Sequence, residues 1–263
     1  MGAIRLMKLI RVSWMLAMSG LMSLVAARAH FPILVHDADL GSTNGSVTIT
    51  YAVGHPFELE MEPAQRPDQL RLIDPRGRLT DDTGRLVKTL FRQQTHVTAW
   101  QLQFDPARGD TLVALTSPAE IDAAQKTLYR EYVKVCIHRS TQGGWTNRTG
   151  QPLEIVPLTR PYGLRPGMVF SGRLMKGREP VANAEVYAER LNDVAPVSAS
   201  MPPEPLVTYA AQTDLQGQFV LSLPDPGWWV VGAYADDLGS IRDKDKEYSH
   251  EAFAGFWVRV EPR

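Results

Sequence analysis

Apolar and polar residues alternate along most of the chain beyond residue 45, which is the pattern of β-strands with one buried face. In the first half this pattern predicts strands at residues 46–53, 69–73, 96–104 and 133–137. Residues 118–130 are ambiguous, because Ser117-Pro118-Ala119-Glu120 is typical of a helix start whereas the Tyr and Val residues that follow favour a strand. We predict a short helix in this segment.

The second half continues the same pattern after a cluster of turn-forming residues at 161–166, which predicts a domain boundary near residue 160. Strands are predicted at residues 168–174, 184–191, 206–213, 218–223, 228–235 and 253–260. The Pro- and Ser-rich residues 195–205 predict an extended surface loop. Because no helical period is sustained, we expect an all-β protein of two antiparallel β-sandwiches in tandem, of the immunoglobulin or transthyretin-like class.

The first residues have the composition of an export signal. Arg5, Lys8 and Arg11 precede the apolar residues 12–27, and Ala27-Arg28-Ala29 has the small-x-small form of a cleavage site. The alternative is an uncleaved anchor helix, but about 16 apolar residues is short of the roughly 20 that a membrane span needs. We therefore predict a signal peptide at residues 1–29, an N-terminal domain at 30–160, a C-terminal domain at 161–263 and a periplasmic location.

The charge balance and the cysteine content exclude several classes of protein. The formal net charge is −1, and removing the four cations of the leader makes it −5, which argues against nucleic acid as a partner and slightly favours cation capture. The single cysteine, Cys136, excludes an internal disulfide and a multi-cysteine zinc site. No second apolar stretch is long enough to span a membrane, so we expect no spanning segment in the mature chain.

Histidines are the best candidates for chemistry, and His30 is the most informative of them. Cleavage after Ala29 makes His30 the first residue of the mature chain, so its α-amine and its ring Nδ1 can chelate one ion without a preformed loop. Ordinary pKa values of about 8 for the amine and 6.5 for the imidazole let both bind near neutral pH. Nitrogen ligands suit nickel, copper, zinc and cobalt. The alternative is a frayed terminus that binds nothing.

Three further histidines are candidate ligands. His55 follows a predicted strand and is bracketed by Gly54 and Pro56, so it is expected at a sheet end. His250 precedes the last predicted strand and is expected at a sheet edge, and His138 ends the strand that contains Cys136. The candidate metal ligands are therefore His30, His55, His138 and His250, and no catalytic or other cofactor-binding residue is predicted.

Other chemistries lack their sequence signatures. The chain contains no His-Glu-x-x-His, no Gly-rich phosphate loop and no Gly-x-Ser-x-Gly elbow. Pro32 would be the third mature residue and has no amide N–H, which excludes the square-planar site built from an amine, two amides and a third-position His. Cys136 lies inside a predicted strand and is expected to be a core residue rather than a nucleophile.

The second half resembles the carboxypeptidase-regulatory, transthyretin-like sandwich. The resemblance rests on Gly172, on the segment 180–186 and on the segment 213–219. In the last segment Asp214 and Gly217 predict a hairpin turn, after which Phe219 and Leu221 share one face of a strand. This resemblance implies a structural module and says little about function.

The whole mature chain resembles the periplasmic nickel-uptake proteins associated with energy-coupling-factor-type nickel and cobalt importers. The matching pieces are Ala29-His30-Phe31, Gly54-His55-Pro56-Phe57-Glu58, residues 154–165, Gly227-Trp228-Trp229, and Tyr248 with His250 before the last strand. The resemblance implies capture of nickel, or of cobalt or copper, by His30 and His55 and less directly by His250, and delivery to inner-membrane importer components. Some relatives carry another His after the Phe-Glu pair, where this chain has Leu59.

We therefore expect a metal-binding protein that is not an enzyme. One alternative is a copper-dependent oxidase of polysaccharides, in which His30 and His55 would form a histidine brace, although the sequence offers no evident flat aromatic surface for a polysaccharide. The other is a ligand-free interaction module whose functional part is the transthyretin-like half.

Overall fold

The computed structural model describes residues 31–40, 42–94, 96–140 and 143–262, and in these residues almost all regular structure is β-strand. The strands, numbered in chain order, form three sheets. Sheet A contains β1 (Phe31–His36), β2 (Val47–His55), β3 (Glu60–Glu62), β6 (Val87–Leu90) and β7 (Thr98–Phe104). Sheet B contains β4 (Gln69–Ile73), β5 (Leu79–Asp81), β8 (Gly109–Thr116), β9 (Glu120–Asp122), β10 (Thr127–Arg139), β14 (Glu185–Leu191), β15 (Thr208–Gln212), β17 (Gly227–Ala235), β18 (Ser240–Asp243) and β19 (Lys246–Val260). Sheet C contains β11 (Leu153–Pro157), β12 (Val169–Lys176), β13 (Glu179–Pro180) and β16 (Gln218–Ser222).

Helical structure in the described residues is confined to short 3-10 turns, at Thr83–Arg85, Phe91–Gln93, Ser198–Ser200 and Glu204–Leu206. The short helix expected within 118–130 is therefore wrong: β9, a turn and the start of β10 occupy this segment. No helix of the described residues is long and apolar enough to cross a membrane. The prediction of an all-β protein built from antiparallel sheets is confirmed.

Sheet B lies between the other two sheets. Side chains along a strand alternate between its two faces, so one strand of sheet B can contribute to a core on each side. Val133 and Val135 of β10 belong to the hydrophobic core shared with sheet A, whereas Tyr132 and Cys136 of the same strand belong to the core shared with sheet C. Cys136 is buried, as the sequence predicts for a core residue. The molecule is thus a three-layer stack with two hydrophobic cores.

Both halves of the sequence contribute strands to the central sheet. They meet at β10 and β19, which pair in parallel from Thr127↔Ser249 to Val135↔Trp257, whereas the other paired strands of the described residues are antiparallel. The predicted boundary near residue 160 falls within sheet C, between β11 and β12, which pair with each other. The domain bounds 30–160 and 161–263 stay a prediction, and residues on both sides of them share sheets B and C.

A buried ionic network joins sheet B to sheet C. Lys134 of β10 donates to the Glu154 carboxylate of β11 at 2.8 Å, and both side chains are excluded from solvent. Burial alone would raise the pKa of Glu154, but Lys134 and Arg148 outweigh it and hold that pKa at about 2. A buried ion pair is stable only when its remaining hydrogen-bonding capacity is also used. Here Thr149 meets that need by donating its N–H and its hydroxyl to the same carboxylate.

The turns predicted in the second half have the expected geometry. The Gly217 N–H donates to the Asp214 carbonyl at 2.9 Å, and the Asp214 carboxylate accepts the Gln218 N–H at 2.8 Å. Past this turn Phe219 and Leu221 are buried in the core between sheets B and C, as the alternation predicts. The loop at 195–205 is mostly exposed, as its composition predicts.

Candidate metal centre

His55 is the last residue of β2 and closes the hairpin between β2 and β3. The register is Val53↔Glu62, Gly54↔Met61 and His55↔Glu60, so Pro56, Phe57, Glu58 and Leu59 form the loop. Pro56 cannot donate to a strand ladder, which ends β2 at His55. Leu59 returns the chain with a left-handed backbone, at φ +58°. His55 therefore lies at a sheet end, as its Gly and Pro neighbours predict.

Gly54 lets the two strands of this hairpin approach closely. A Cβ at this position would overlap the Glu60 carbonyl oxygen and lie 2.8 Å from the Met61 Cα. Real Cβ atoms do not approach backbone atoms so closely, so a side chain here would push β3 away from β2. The absence of a side chain at residue 54 therefore fixes where Glu60 lies relative to His55.

The loop of the hairpin is fastened to β14, which belongs to the other half of the sequence. The Phe57 N–H donates to the Glu189 carboxylate at 3.0 Å. Asn192, next to the end of β14, donates its backbone N–H to the Pro56 carbonyl at 3.0 Å and its amide Nδ2–H to the Phe57 carbonyl at 2.5 Å. We call these contacts of Glu189 and Asn192 the hairpin latch.

The latch includes a carboxyl group with an unusual pKa. Burial raises the pKa of Glu189 to about 7, and the nearby carboxylates of Glu58 and Glu204 add to the effect, while the Phe57 N–H opposes it. Clustered carboxylates give a surface a negative potential that attracts cations. The hairpin itself carries three of them, at Glu58, Glu60 and Glu62.

The other edge of β2 pairs with the beginning of β1. The register runs from His36↔Ile49 to Phe31↔Gly54. Phe31 contacts the Phe253 ring of the central sheet edge-on at 5.5 Å, and the Pro32 carbonyl accepts the Trp257 indole N–H at 2.8 Å. The start of β1 is thus anchored beside His55. His30 and the predicted signal peptide lie outside the described residues.

His138 lies in a separate polar cluster at the carboxyl end of β10. Its Nδ1 is 2.7 Å from the buried Asp110 carboxylate of β8, and its ring stacks on Tyr162 with centroids 4.2 Å apart. The Tyr162 hydroxyl and the Gly143 N–H donate to the other carboxylate oxygen of Asp110. A carboxylate on Nδ1 orients an imidazole and leaves Nε2 as its remaining nitrogen.

His250 is buried in β19 and is hydrogen-bonded to another side chain. Its Nε2 lies 3.1 Å from the Tyr132 hydroxyl of the neighbouring strand, and the two rings are edge to face. Burial lowers the pKa of His250, with a smaller contribution from Arg130. The sequence places this histidine at a sheet edge, whereas β19 pairs with β10 and β18 there and encloses it.

The remaining described histidines differ strongly in exposure. His36 donates its Nε2–H to the Cys136 carbonyl at 3.3 Å and accepts the Ala38 N–H on Nδ1 at 3.2 Å, so both ring nitrogens are used. Burial lowers the pKa of His36 to about 4, which keeps the ring neutral. His96 is exposed.

The structure does not bring His55, His138 and His250 together. His250 pairs with Leu128 near the start of β10, and His138 lies ten residues further along, about 33 Å at the usual rise per strand residue. His250 contacts Tyr132 in the core between sheets B and C, whereas the hairpin of His55 packs on the core between sheets A and B. The described residues contain no group of three His, Cys, Asp or Glu side chains that could hold a metal ion. The ligand set His30, His55, His138 and His250 stays a prediction.

Several residues that shape this region give little signal in the sequence. Glu189 and Asn192 reach the hairpin across 132 and 135 residues of chain, and neither stands in a recognisable motif. Asp110 lies in an apolar strand that the alternation does not reveal. For Glu60, the turn at Pro56 is a usable signal, because a four-residue loop after His55 makes Glu60 its cross-strand partner.

A family model described as "Domain of unknown function (DUF4198)" matches residues 27–237, which is most of the chain. No curated protein shows significant sequence similarity to the chain.

The solved structures similar to the chain include three of distant sequence. The mouse nectin-like molecule 4 full ectodomain has 11% identity, covers 88% of this chain and 64% of that chain, and has a TM-score of 0.23. The D0–D1 domain of intimin has 14% identity, covers 82% of this chain and 91% of that one, and has a TM-score of 0.21. Salmonella alpha-2-macroglobulin reacted with methylamine has 12% identity, covers 88% of this chain and 15% of that one, and has a TM-score of 0.26. At these TM-scores the similarities carry no argument about function.

Proposed function

The chain belongs to the DUF4198 family, whose description assigns no function, and we propose that it captures a divalent transition-metal ion, nickel first among them, through His30 and His55. On this proposal the mature chain is exported, begins at His30, and presents its ion to the components of an inner-membrane nickel or cobalt importer. The protein then acts as a carrier and not as an enzyme.

The register of β1 and β2 is the observation that carries the proposal. Phe31 pairs with Gly54, so the described part of β1 begins beside His55, and His30 directly precedes Phe31 in the sequence. On the proposal, the imidazoles of His30 and His55 share one ion, and the α-amine of the first mature residue adds a third nitrogen.

The surroundings of His55 support a cation rather than an anion. The carboxylates of Glu58, Glu60 and Glu62 lie on the same hairpin and give it a negative potential. A site of few nitrogen ligands, completed by water, exchanges its ion faster than a closed structural site does. This suits a protein that must release its cargo.

Nickel is preferred because of the resemblance to the nickel-uptake proteins, whose residues Gly54-His55-Pro56-Phe57-Glu58 recur here. Affinity alone would favour copper, which stands highest in the Irving–Williams order, so the cargo depends on the metal supplied. Cobalt and copper are the alternatives.

Titration with nickel tests the proposal. Mature protein that begins at His30 is titrated with Ni²⁺ by calorimetry, beside His55→Ala and a matched His96→Ala variant in which an exposed histidine is lost. We expect His55→Ala to weaken binding at least about tenfold, as the loss of a ligand requires, and His96→Ala to bind as the parent does. Equal affinity in all three proteins, or no retention of metal by the parent, would contradict the proposal, and the second result would favour a ligand-free interaction module.

A further inference from the structure

We infer that Glu60 supplies a carboxylate ligand to the nickel site, an inference that rests on the function proposed above. The observation is the position of Glu60 in the hairpin. Glu60 is directly opposite His55 across β2 and β3, and this pair closes the loop at Pro56–Leu59. Its Cβ is therefore expected within about 4.5–5.5 Å of that of His55, with both side chains on one face.

β2 has neighbours on both sides at this level. One neighbour is β3, which sets Glu60 against His55, and the other is the start of β1, where Phe31 pairs with Gly54. The pair of His55 and Glu60 brings an imidazole and a carboxylate side chain to one face of the sheet.

Glu60 is available for this role. Its side chain is exposed, and within the part of the chain that the structure describes it makes no ion pair with Lys or Arg. The close approach of the strands at Gly54 fixes the separation of the Glu60 and His55 backbones. The latch from Glu189 and Asn192 holds the loop between them, so the pair need not be ordered by the metal alone.

A carboxylate changes the chemistry of the site. It lowers the charge of the bound divalent ion and adds a hard oxygen to the nitrogen donors, and such a mixed set suits Ni²⁺, Co²⁺ and Zn²⁺ better than the soft Cu⁺ ion. Glu62 lacks this position, because it is two residues along and faces Val53 instead of His55. The inference therefore distinguishes two exposed glutamates of one short strand.

The experiment compares Glu60→Gln with the matched control Glu62→Gln in the mature protein that begins at His30. Each variant removes one negative charge from β3, so a general electrostatic effect would weaken nickel binding equally in both. We expect Glu60→Gln to weaken Ni²⁺ binding at least about tenfold and Glu62→Gln to weaken it less than about threefold, through the loss of its negative charge alone. With Co²⁺ as the probe, we also expect the visible absorption bands to shift in Glu60→Gln alone.

The outcomes separate this inference from the proposed function. Nickel binding that depends on His55 but is unchanged by Glu60→Gln would overturn the role of Glu60 and leave the proposed function in place. Equal weakening by both glutamate variants, with unshifted cobalt bands, would also overturn it. A parent protein that binds no metal would overturn both. Circular dichroism of the two variants, expected to match the parent, checks that neither substitution acts by unfolding.

Discussion

Glu189 shows how one buried carboxyl can couple the candidate site to the rest of the molecule. Its side chain lies on β14 in the second half of the sequence, yet it accepts the Phe57 N–H of the hairpin in the first half. Burial raises the pKa of this carboxyl from an ordinary 4.5 to about 7. The group therefore holds its proton more tightly in the folded protein than in the unfolded chain.

This pKa predicts a specific dependence of stability on pH. Between about pH 4.5 and 7 the folded state binds more protons at Glu189 than the unfolded state does. Protonated Glu189 therefore contributes to the free energy of unfolding at low pH, and this contribution is lost as pH rises through 7. The full effect is of order 3 kcal/mol. Glu131, whose pKa burial raises to about 8, contributes with the same sign, so Glu189→Gln removes only part of the dependence.

Chemical denaturation at several pH values measures this effect. We expect Glu189→Gln to gain stability relative to the parent as pH rises from 5 to 8, because glutamine keeps an acceptor for the Phe57 N–H and cannot ionise. A difference in unfolding free energy that is the same at pH 5 and pH 8 would show that Glu189 has an ordinary pKa in the folded protein.

At the scale of elements, the β2–β3 hairpin depends on the glycine at its narrowest point. A methyl group at Gly54 would overlap the Glu60 carbonyl, and backbone cannot yield as a flexible side chain can. We expect Gly54→Ala to cost about 1–3 kcal/mol of stability, the usual range for overpacking, and to weaken nickel binding by moving Glu60 away from His55. Gly84 provides the control, because a Cβ added at this position would have no neighbouring atom within 4 Å.

Urea denaturation of Gly54→Ala and Gly84→Ala, with a nickel titration of each, checks this expectation. Gly84→Ala should unfold and bind metal as the parent does. If Gly54→Ala is as stable as the parent, the close approach of β2 and β3 does not constrain the hairpin.

Strands with one exposed face were predictable from their alternation, whereas only some of the strands enclosed on both faces were predicted. The alternation in β4 gives its bounds, residues 69–73, without error. β8 is buried along nearly its whole length and β1 along most of its own, so neither shows a period of two. The helix expected within 118–130 failed because β10 extends to Thr127 by pairing with β19, a contact between residues more than a hundred positions apart.

The same limit applies to the candidate site. The place of His55 at a strand end follows from its glycine and proline neighbours. The latch does not, because Glu189 and Asn192 reach the hairpin only once β14 has taken its place in the central sheet. His138 and His250 were predicted as candidates by residue type, and their environments, a buried aspartate and a buried tyrosine hydroxyl, depend on the pairing of distant strands.

At the scale of the whole molecule, the central sheet takes strands from both halves of the sequence, and two further contacts join the halves close to the proposed metal site. In the first contact, the hairpin latch fastens the first-half hairpin to a second-half strand. The start of β1 is anchored to the last strand through Pro32 and Trp257. The hairpin that carries His55 and the start of β1 are therefore both anchored to strands of the central sheet.

The most direct test compares two versions of the mature protein that differ by one residue at the front. One begins at His30 and the other at Ala29, so the fold, His55 and Glu60 are the same and only the α-amine of His30 is replaced by an amide. The account predicts that the chain beginning at Ala29 binds Ni²⁺ at least about tenfold more weakly, because the amine and the ring of His30 no longer chelate the ion together. Equal nickel affinity in the two proteins would contradict the account.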